Sequence, residues 1–106
     1  MALKKTFSKD NKTCKVTFTV EKEAAHGAKK ITIAGDFNSW SSTEDVLEEH
    51  KDGSFSITKN LETGKEYQFR YLFDDKHWEN DWKADKYIPA PFSHTDNSVV
   101  ICSPDA

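Results

Sequence analysis

An antiparallel β-sandwich is the fold class predicted by this sequence of 106 residues. Three observations predict it. Several short segments alternate apolar and polar residues with the period of two that sends successive side chains to opposite faces of a strand. Turn-forming residues punctuate these segments at close spacing. No segment carries the helical periodicity that would bury one face of a long helix.

Taking the elements in order, Met1–Phe7 leads in with Lys4 and Lys5. Together with Lys9, Lys12 and Lys15 these make a mildly positive stretch interrupted by Asp10. It reads as a solvated strand face and its approach. Thr13–Val20 alternates cleanly, with Cys14, Val16, Phe18 and Val20 on one side and lysine and threonines on the other. That is a half-buried strand. Glu21–Lys29 is polar, its two alanines too few for more than a helical turn, and is expected to be a connection.

Lys30–Trp40 organises the rest. Ile31 and Ile33 share one face of a strand and Lys30, Thr32 and Ala34 the other. Gly35 is expected to release the chain from strand geometry, and Asp36, Asn38 and Ser39 supply turn chemistry. Trp40 ends that polar turn. Ser41–Glu49 is acidic, with Val46 and Leu47 as its apolar pair. Lys51-Asp52-Gly53-Ser54 is a tight-turn signal, Phe55–Leu61 alternates again, and Glu62-Thr63-Gly64-Lys65 turns the chain back. Tyr67–Phe73 is the strongest strand signal: Tyr67, Phe69, Tyr71 and Phe73 form the core face, and Gln68, Arg70 and Leu72 the other. After an Asp74-Asp75-Lys76 turn comes His77–Trp82. Pro89 and Pro91 predict extended loop over Ala84–Phe92, Ser98–Cys102 is a last short strand, and Ser103–Ala106 a frayed tail.

Length implies a single domain over residues 1–106, with the sandwich spanning about residues 13–102 between frayed termini. A chain of this size buries roughly two-thirds of its unfolded surface, enough for a core without metals or disulfides. A net charge of −3 and the lack of a basic block argue against nucleic acid and anionic membrane surfaces. The sequence holds no apolar run long enough to span a bilayer, and its N-terminus lacks the apolar core of a signal peptide. The expectation is a cytoplasmic chain, with Cys14 and Cys102 as reduced thiols packed as small hydrophobes. A disulfide between terminal strands is the less favoured alternative.

Catalytic patterns are absent from the sequence. His26, His50, His77 and His94 are scattered through loop-like stretches without metal-ligand spacing. Glu79, Asp81 and Asp85 read as a solvated acidic loop, since no nucleophile accompanies them. There is no phosphate-cradling glycine loop and no serine elbow. The reading is a non-catalytic protein without a cofactor.

The tryptophans are more telling. Trp40, Trp78 and Trp82 all fall in polar, turn-like sequence, while strand parity already fills the core with Phe18, Ile31, Ile33, Phe55, Ile57, Phe69, Tyr71 and Phe73. Indoles among Ser, Asn, Asp and Glu are either rim packing for the core or exposed aromatic platforms. A pyranose suits such a platform: its C–H face is flat and apolar and its rim is all hydroxyls, which Asn, Gln, Arg or Thr can bond.

Gly35-Asp36-Phe37-Asn38-Ser39-Trp40-Ser41, Tyr67-Gln68-Phe69-Arg70-Tyr71, Asp74-Asp75-Lys76-His77-Trp78 and Thr95-Asp96-Asn97-Ser98-Val99-Val100 together resemble the family-48 carbohydrate-binding module. That family includes the glycogen-binding domain of the AMP-activated protein kinase beta subunit. It is also similar to the early-set, immunoglobulin-like sandwich at the N-terminus of isoamylases and glycogen branching enzymes, and to short stand-alone bacterial early-set proteins. The resemblance covers about Thr13–Cys102. It implies a partner that is an α-glucan such as glycogen, starch or a maltooligosaccharide, and a glycogen-metabolising enzyme as a further partner. By the same resemblance Trp40 and Trp78 stack on glucose rings, Arg70 stands where the kinase module has a hydroxyl-bonding lysine, and Asn97 and Thr95 bond the glucan. Ser93 replaces an apolar residue of that module. Trp82, which has no counterpart there, joins the candidate carbohydrate-binding residues as an added aromatic. The competing reading is a protein-interaction or regulatory early-set module that binds no sugar.

Overall fold

The computed structural model describes residues 1–91 and 95–104. In chain order its elements are β1 (Ala2–Phe7), β2 (Thr13–Val20), the one-turn helix α1 (Lys22–Ala25) and β3 (Ile31–Gly35). A 3₁₀ turn, Asp36–Asn38, is followed by β4 (Asp45–Val46), β5 (Glu48–Glu49), β6 (Phe55–Glu62) and β7 (Lys65–Phe73). The chain then forms β8 (His77–Glu79), β9 (Lys86–Pro89) and β10 (Asp96–Cys102). One sheet orders its strands β1-β2-β6-β5. The other runs β4-β3-β7-β10-β9, with β8 added along β7. All pairings are antiparallel. The fold is the predicted all-β sandwich.

Its interior follows strand parity. Cys14, Val16, Phe18 and Val20 from β2 are fully buried, as are Ile31, Ile33, Phe69 and Tyr71 from β3 and β7. Phe18 meets Phe69 edge-on across the sheets, ring centroids 5.1 Å apart, and Phe69 meets Tyr71 the same way at 5.7 Å. Such contacts add about 0.5–1.5 kcal/mol each beyond area burial. Cys14 and Cys102 are free, buried thiols. Burial, then the hydrogen bond with Cys14, pushes the Cys102 thiol up to about 12.

Several expectations need correction. The chain before Thr13 is not frayed: β1 pairs with β2 along its whole length, from Ala2 opposite Thr19 to Phe7 opposite Cys14, and Met1 is buried with its amino group paired to Glu21. Ala84–Phe92 is not simply loop, because Lys86–Pro89 pairs with β10 as an edge strand, where a proline lacking an N–H is tolerated. The acidic Ser41–Glu49 stretch gives each sheet a two-residue edge. Val46 lies opposite Thr32 on β3, Glu48 opposite Ser56 on β6, and the buried Leu47 marks the crossing.

Gly35 does not release the chain. It is the last residue of β3, in extended backbone (φ −169°) that any residue adopts. Glycine is required there by space: a Cβ would stand 2.6 Å from the Gln68 carbonyl oxygen and 2.8 Å from Phe69 Cβ. The Asp-Gly signal, in contrast, forms the expected turn, with Gly53 at φ +88° and its N–H donating to the His50 carbonyl at 2.9 Å. Asp85 is tied to the framework rather than solvated: it pairs with Lys5 at 2.6 Å and accepts the Ile101 N–H at 2.7 Å.

Candidate functional site

The outer face of the β4-β3-β7-β10-β9 sheet carries three of the candidate residues, Arg70, Asn97 and Trp78. Antiparallel partners share a face, so register alone places them. Val46, Thr32, Leu72 and Trp78 form one row across β4, β3, β7 and β8. Leu72 and Thr32 are buried in the middle of that row, while Val46 and Trp78 at its ends are about half exposed. The next row along β7 holds Ala34 and Arg70, and the one beyond it Gln68 and Val99.

At the Gln68 end of this face lies a shallow groove of about 430 Å³, lined by Asp36, Trp40, Gln68, Arg70, Asn97 and the Ala90–Pro91 pair. Its polar groups form a connected relay. Arg70 Nε–H donates to Asn97 Oδ1 at 2.6 Å, and Arg70 Nη2–H to Thr95 Oγ1 at 2.7 Å. Asn97 Nδ2–H donates in turn to Gln68 Oε1 at 3.0 Å. Charge-assisted bonds of this kind are short and hold a guanidinium in one plane. Asn97 is buried, which fixes the centre of the relay, and Gln68 at its end accepts through its amide oxygen.

Trp40 is 36% exposed at the groove wall. The 3₁₀ turn sets it there. Asn38 is buried, donates to the Ile33 carbonyl at 2.9 Å and accepts the Gly35 N–H at 3.0 Å, which folds the chain back on β3. Trp40 N–H closes the turn on the Gly35 carbonyl at 2.8 Å. Its indole Nε1–H donates to Asp36 Oδ1 at 3.0 Å. Trp78, opposite Leu72, stands at the other end of the same face. Gln68 and Leu72 are four positions apart on β7, roughly 13 Å along the strand.

The structure therefore brings Trp40, Arg70, Asn97 and Thr95 together, with Trp78 on the same face. It does not bring Trp82 there. Trp82 is 58% exposed at a different rim, its ring 6.3 Å from that of His26 and its backbone N–H against the Met1 sulfur at 3.3 Å. Ser93 lies outside the described residues. Two polar groove residues to which the sequence assigns no part in binding are Asp36 and Gln68. The parity of Gln68 with Arg70 was a signal for the second, whereas the partners of Asp36 are visible only in three dimensions.

The acidic loop also departs from expectation. Asp81 is fully buried rather than solvated. It accepts the Tyr71 hydroxyl at 2.9 Å and the Lys83 N–H at 2.8 Å, while its own N–H donates to Ser98 Oγ at 2.9 Å. Burial pushes its carboxyl above the usual carboxylate value, and the Lys83 N–H and Tyr71 hydroxyl oppose that shift. Burial, with the Asp81 charge beside it, holds the Tyr71 phenol well above its ordinary value. These groups fasten the Asn80–Lys83 segment to the core. No group of three or more His, Cys, Asp or Glu residues arranged to hold a metal ion occurs among the described residues, and no helix among them is long and apolar enough to cross a membrane.

Residues 16–101 match the family profile described as the glycogen recognition site of AMP-activated protein kinase. Comparison with curated proteins found no match.

Proposed function

The chain belongs to the family of the glycogen recognition site of AMP-activated protein kinase, and on that premise we propose that its outer sheet face binds α-glucan chains without transforming them. One observation carries the reading: two partly exposed tryptophans, Trp40 and Trp78, flank a pre-bonded row of Gln68, Arg70 and Asn97 on a single face. Indole faces cover the apolar face of glucose rings, and the polar row offers donors to ring hydroxyls. Thr95 supports the row through the second nitrogen of Arg70.

Two stacked rings and a few hydroxyl contacts give about −4 to −6 kcal/mol, a Kd of tens of micromolar to millimolar. A branched polymer presents many chain ends, and multivalent contact turns such weak sites into useful retention. A glycogen-metabolising enzyme is the natural second partner for a non-catalytic module of this kind, brought to the polymer by it.

Co-sedimentation with glycogen tests the proposal, with Trp40→Ala and Trp78→Ala run beside the unaltered protein. The expected result is retention that each substitution sharply lowers, together with a tryptophan fluorescence change on titration with maltoheptaose. Retention equal in all three proteins, or fluorescence unmoved by the oligosaccharide, would favour a protein-interaction module instead.

A further inference from the structure

We propose that Asp36 is a positioning residue: its carboxylate locks the Trp40 indole in place before any ligand arrives, so that the ring is held ready at the groove wall. The inference rests on the glucan reading and names a residue that acts through Trp40 rather than on the sugar itself.

The geometry begins with where β3 ends. Gly35 pairs with Phe69, so one step further along β7 the backbone N–H of Gln68 has passed the last residue of β3. Asp36 supplies the missing acceptor, taking the Gln68 N–H on Oδ2 at 2.7 Å. Its other oxygen takes the Trp40 indole N–H at 3.0 Å. One carboxylate thus ties the platform ring to the strand that carries Gln68 and Arg70.

The backbone under Trp40 is already fixed. Ser39 and Trp40 are consecutive non-glycine residues at φ +56° and +60°. Such conformations persist only where surrounding bonds over-determine them, here the Trp40 N–H to the Gly35 carbonyl and the Ser41 N–H to Asn38. What freedom remains to Trp40 is rotation of its side chain, and the Asp36 bond removes it. A side chain already immobile loses no rotamer freedom on binding, which is the general origin of affinity gained by preorganisation. The same bond occupies the indole's one donor. Trp40 therefore contributes its face, and hydroxyl contacts fall to Gln68, Arg70 and Asn97.

An isosteric amide cannot replace the carboxylate. Asparagine has one acceptor oxygen, and its NH₂ group would confront one of the two N–H donors. Asp36→Asn keeps the shape of the turn. The Gln68 N–H is fixed in β7 whereas the indole can rotate, so the amide oxygen stays on the backbone donor and the indole bond is the one lost. That makes this substitution the control should Asp36→Ala fold poorly.

The test is a double-mutant cycle between Asp36→Ala and Trp40→Phe, a ring without an indole N–H, read by NMR titration with maltoheptaose. The second readout is hydrogen exchange of the Trp40 indole N–H in the ligand-free protein. Asp36→Ala and Asp36→Asn are expected to weaken binding three- to tenfold and to accelerate indole exchange. In the Trp40→Phe background neither substitution should weaken binding further. Equal weakening in both backgrounds, or an indole that exchanges at the unaltered rate, overturns the proposal, because Asp36 would then act only through Gln68. If the unaltered protein fails to bind maltoheptaose, the glucan reading falls. Accelerated exchange would still support Asp36 as the lock of the ring, and unchanged exchange would overturn it.

Discussion

Arg70 and Asn97 stand opposite each other one step beyond the paired residues Phe69 and Ser98, joined by an Arg70 Nε–H to Asn97 Oδ1 bond of 2.6 Å. The pair is 27 residues apart in sequence and lies on the strands that form the centre of the sheet. A buried amide at that point does two things. It satisfies the half-buried guanidinium, and its own N–H passes the order on to Gln68 at 3.0 Å. Arg70, Asn97, Gln68 and Thr95 are thereby joined in one hydrogen-bonded set that hinges on the fork of Arg70.

Arg70→Lys tests that dependence. Lysine keeps the charge but is a point donor, and it cannot bond Asn97 and Thr95 from two nitrogens held in one plane. Binding of maltoheptaose is expected to weaken about tenfold, or about 1.4 kcal/mol, with Tm lowered by a few degrees because the buried Asn97 oxygen loses its planar donor. Isothermal titration and a thermal melt on the same preparation check both halves. Full affinity in the lysine variant would show that charge, not the fork, is what the face requires.

Trp82→Ala separates the three tryptophans. Trp82 is the most exposed of them, yet it lies beside His26 and Met1, away from the groove that Trp40 lines. Glycogen retention of this variant is expected to match that of the unaltered protein. A loss comparable to that of Trp40→Ala would place a second sugar contact at the other rim.

Gly35→Ala probes the close approach that brings the 3₁₀ turn against β7. The added methyl would meet a carbonyl oxygen at 2.6 Å and a neighbouring Cβ at 2.8 Å, and neither can move without disturbing the β3–β7 ladder. Overpacking of this kind is expected to destabilise by about 3 kcal/mol, a fall in Tm of roughly 12 °C or more. Chemical denaturation with an unchanged m-value would confirm that folded-state packing is the cause. A fall of only a few degrees would mean that the turn can shift.

How much of this was legible beforehand depended on whether the partners were local. Strands β2 and β7 announce themselves by alternation, and the Asp-Gly turn by its φ requirement, so both are readable from neighbours in the chain. Arg70 and Asn97 were reachable because a family resemblance supplied the distant pairing. Strand β1 was hidden because Lys5, which points toward Asp85, looks like a surface lysine in sequence. Asp81 was misjudged for the same reason: its burial depends on Tyr71 and Ser98, 10 and 17 residues away. Asp36 reads as an ordinary turn former, and nothing in its surroundings in the chain indicates that both of its oxygens are taken. The two-residue strands β4 and β5 are too short to carry any periodicity.

Asp81→Asn addresses the buried carboxyl through pH. Burial holds its folded-state value above the usual one near 4. The native protein therefore keeps a proton at pH values where the unfolded chain has already lost it. The resulting stabilisation is fully present below the unfolded value and disappears as pH rises through the folded value, opposite to the usual ion-paired aspartate. The variant cannot titrate there, so it lacks this component at every pH. Melting both proteins from about pH 3 to pH 7 should show the Tm of the unaltered protein falling relative to that of Asp81→Asn as pH rises past 4. Loss of one of the bonds to Tyr71 or Lys83 shifts the variant's curve by a constant amount and leaves that slope intact. A difference that is flat, or that grows in favour of the unaltered protein toward neutral pH, would mean that its hydrogen bonds outweigh burial in setting the Asp81 carboxyl.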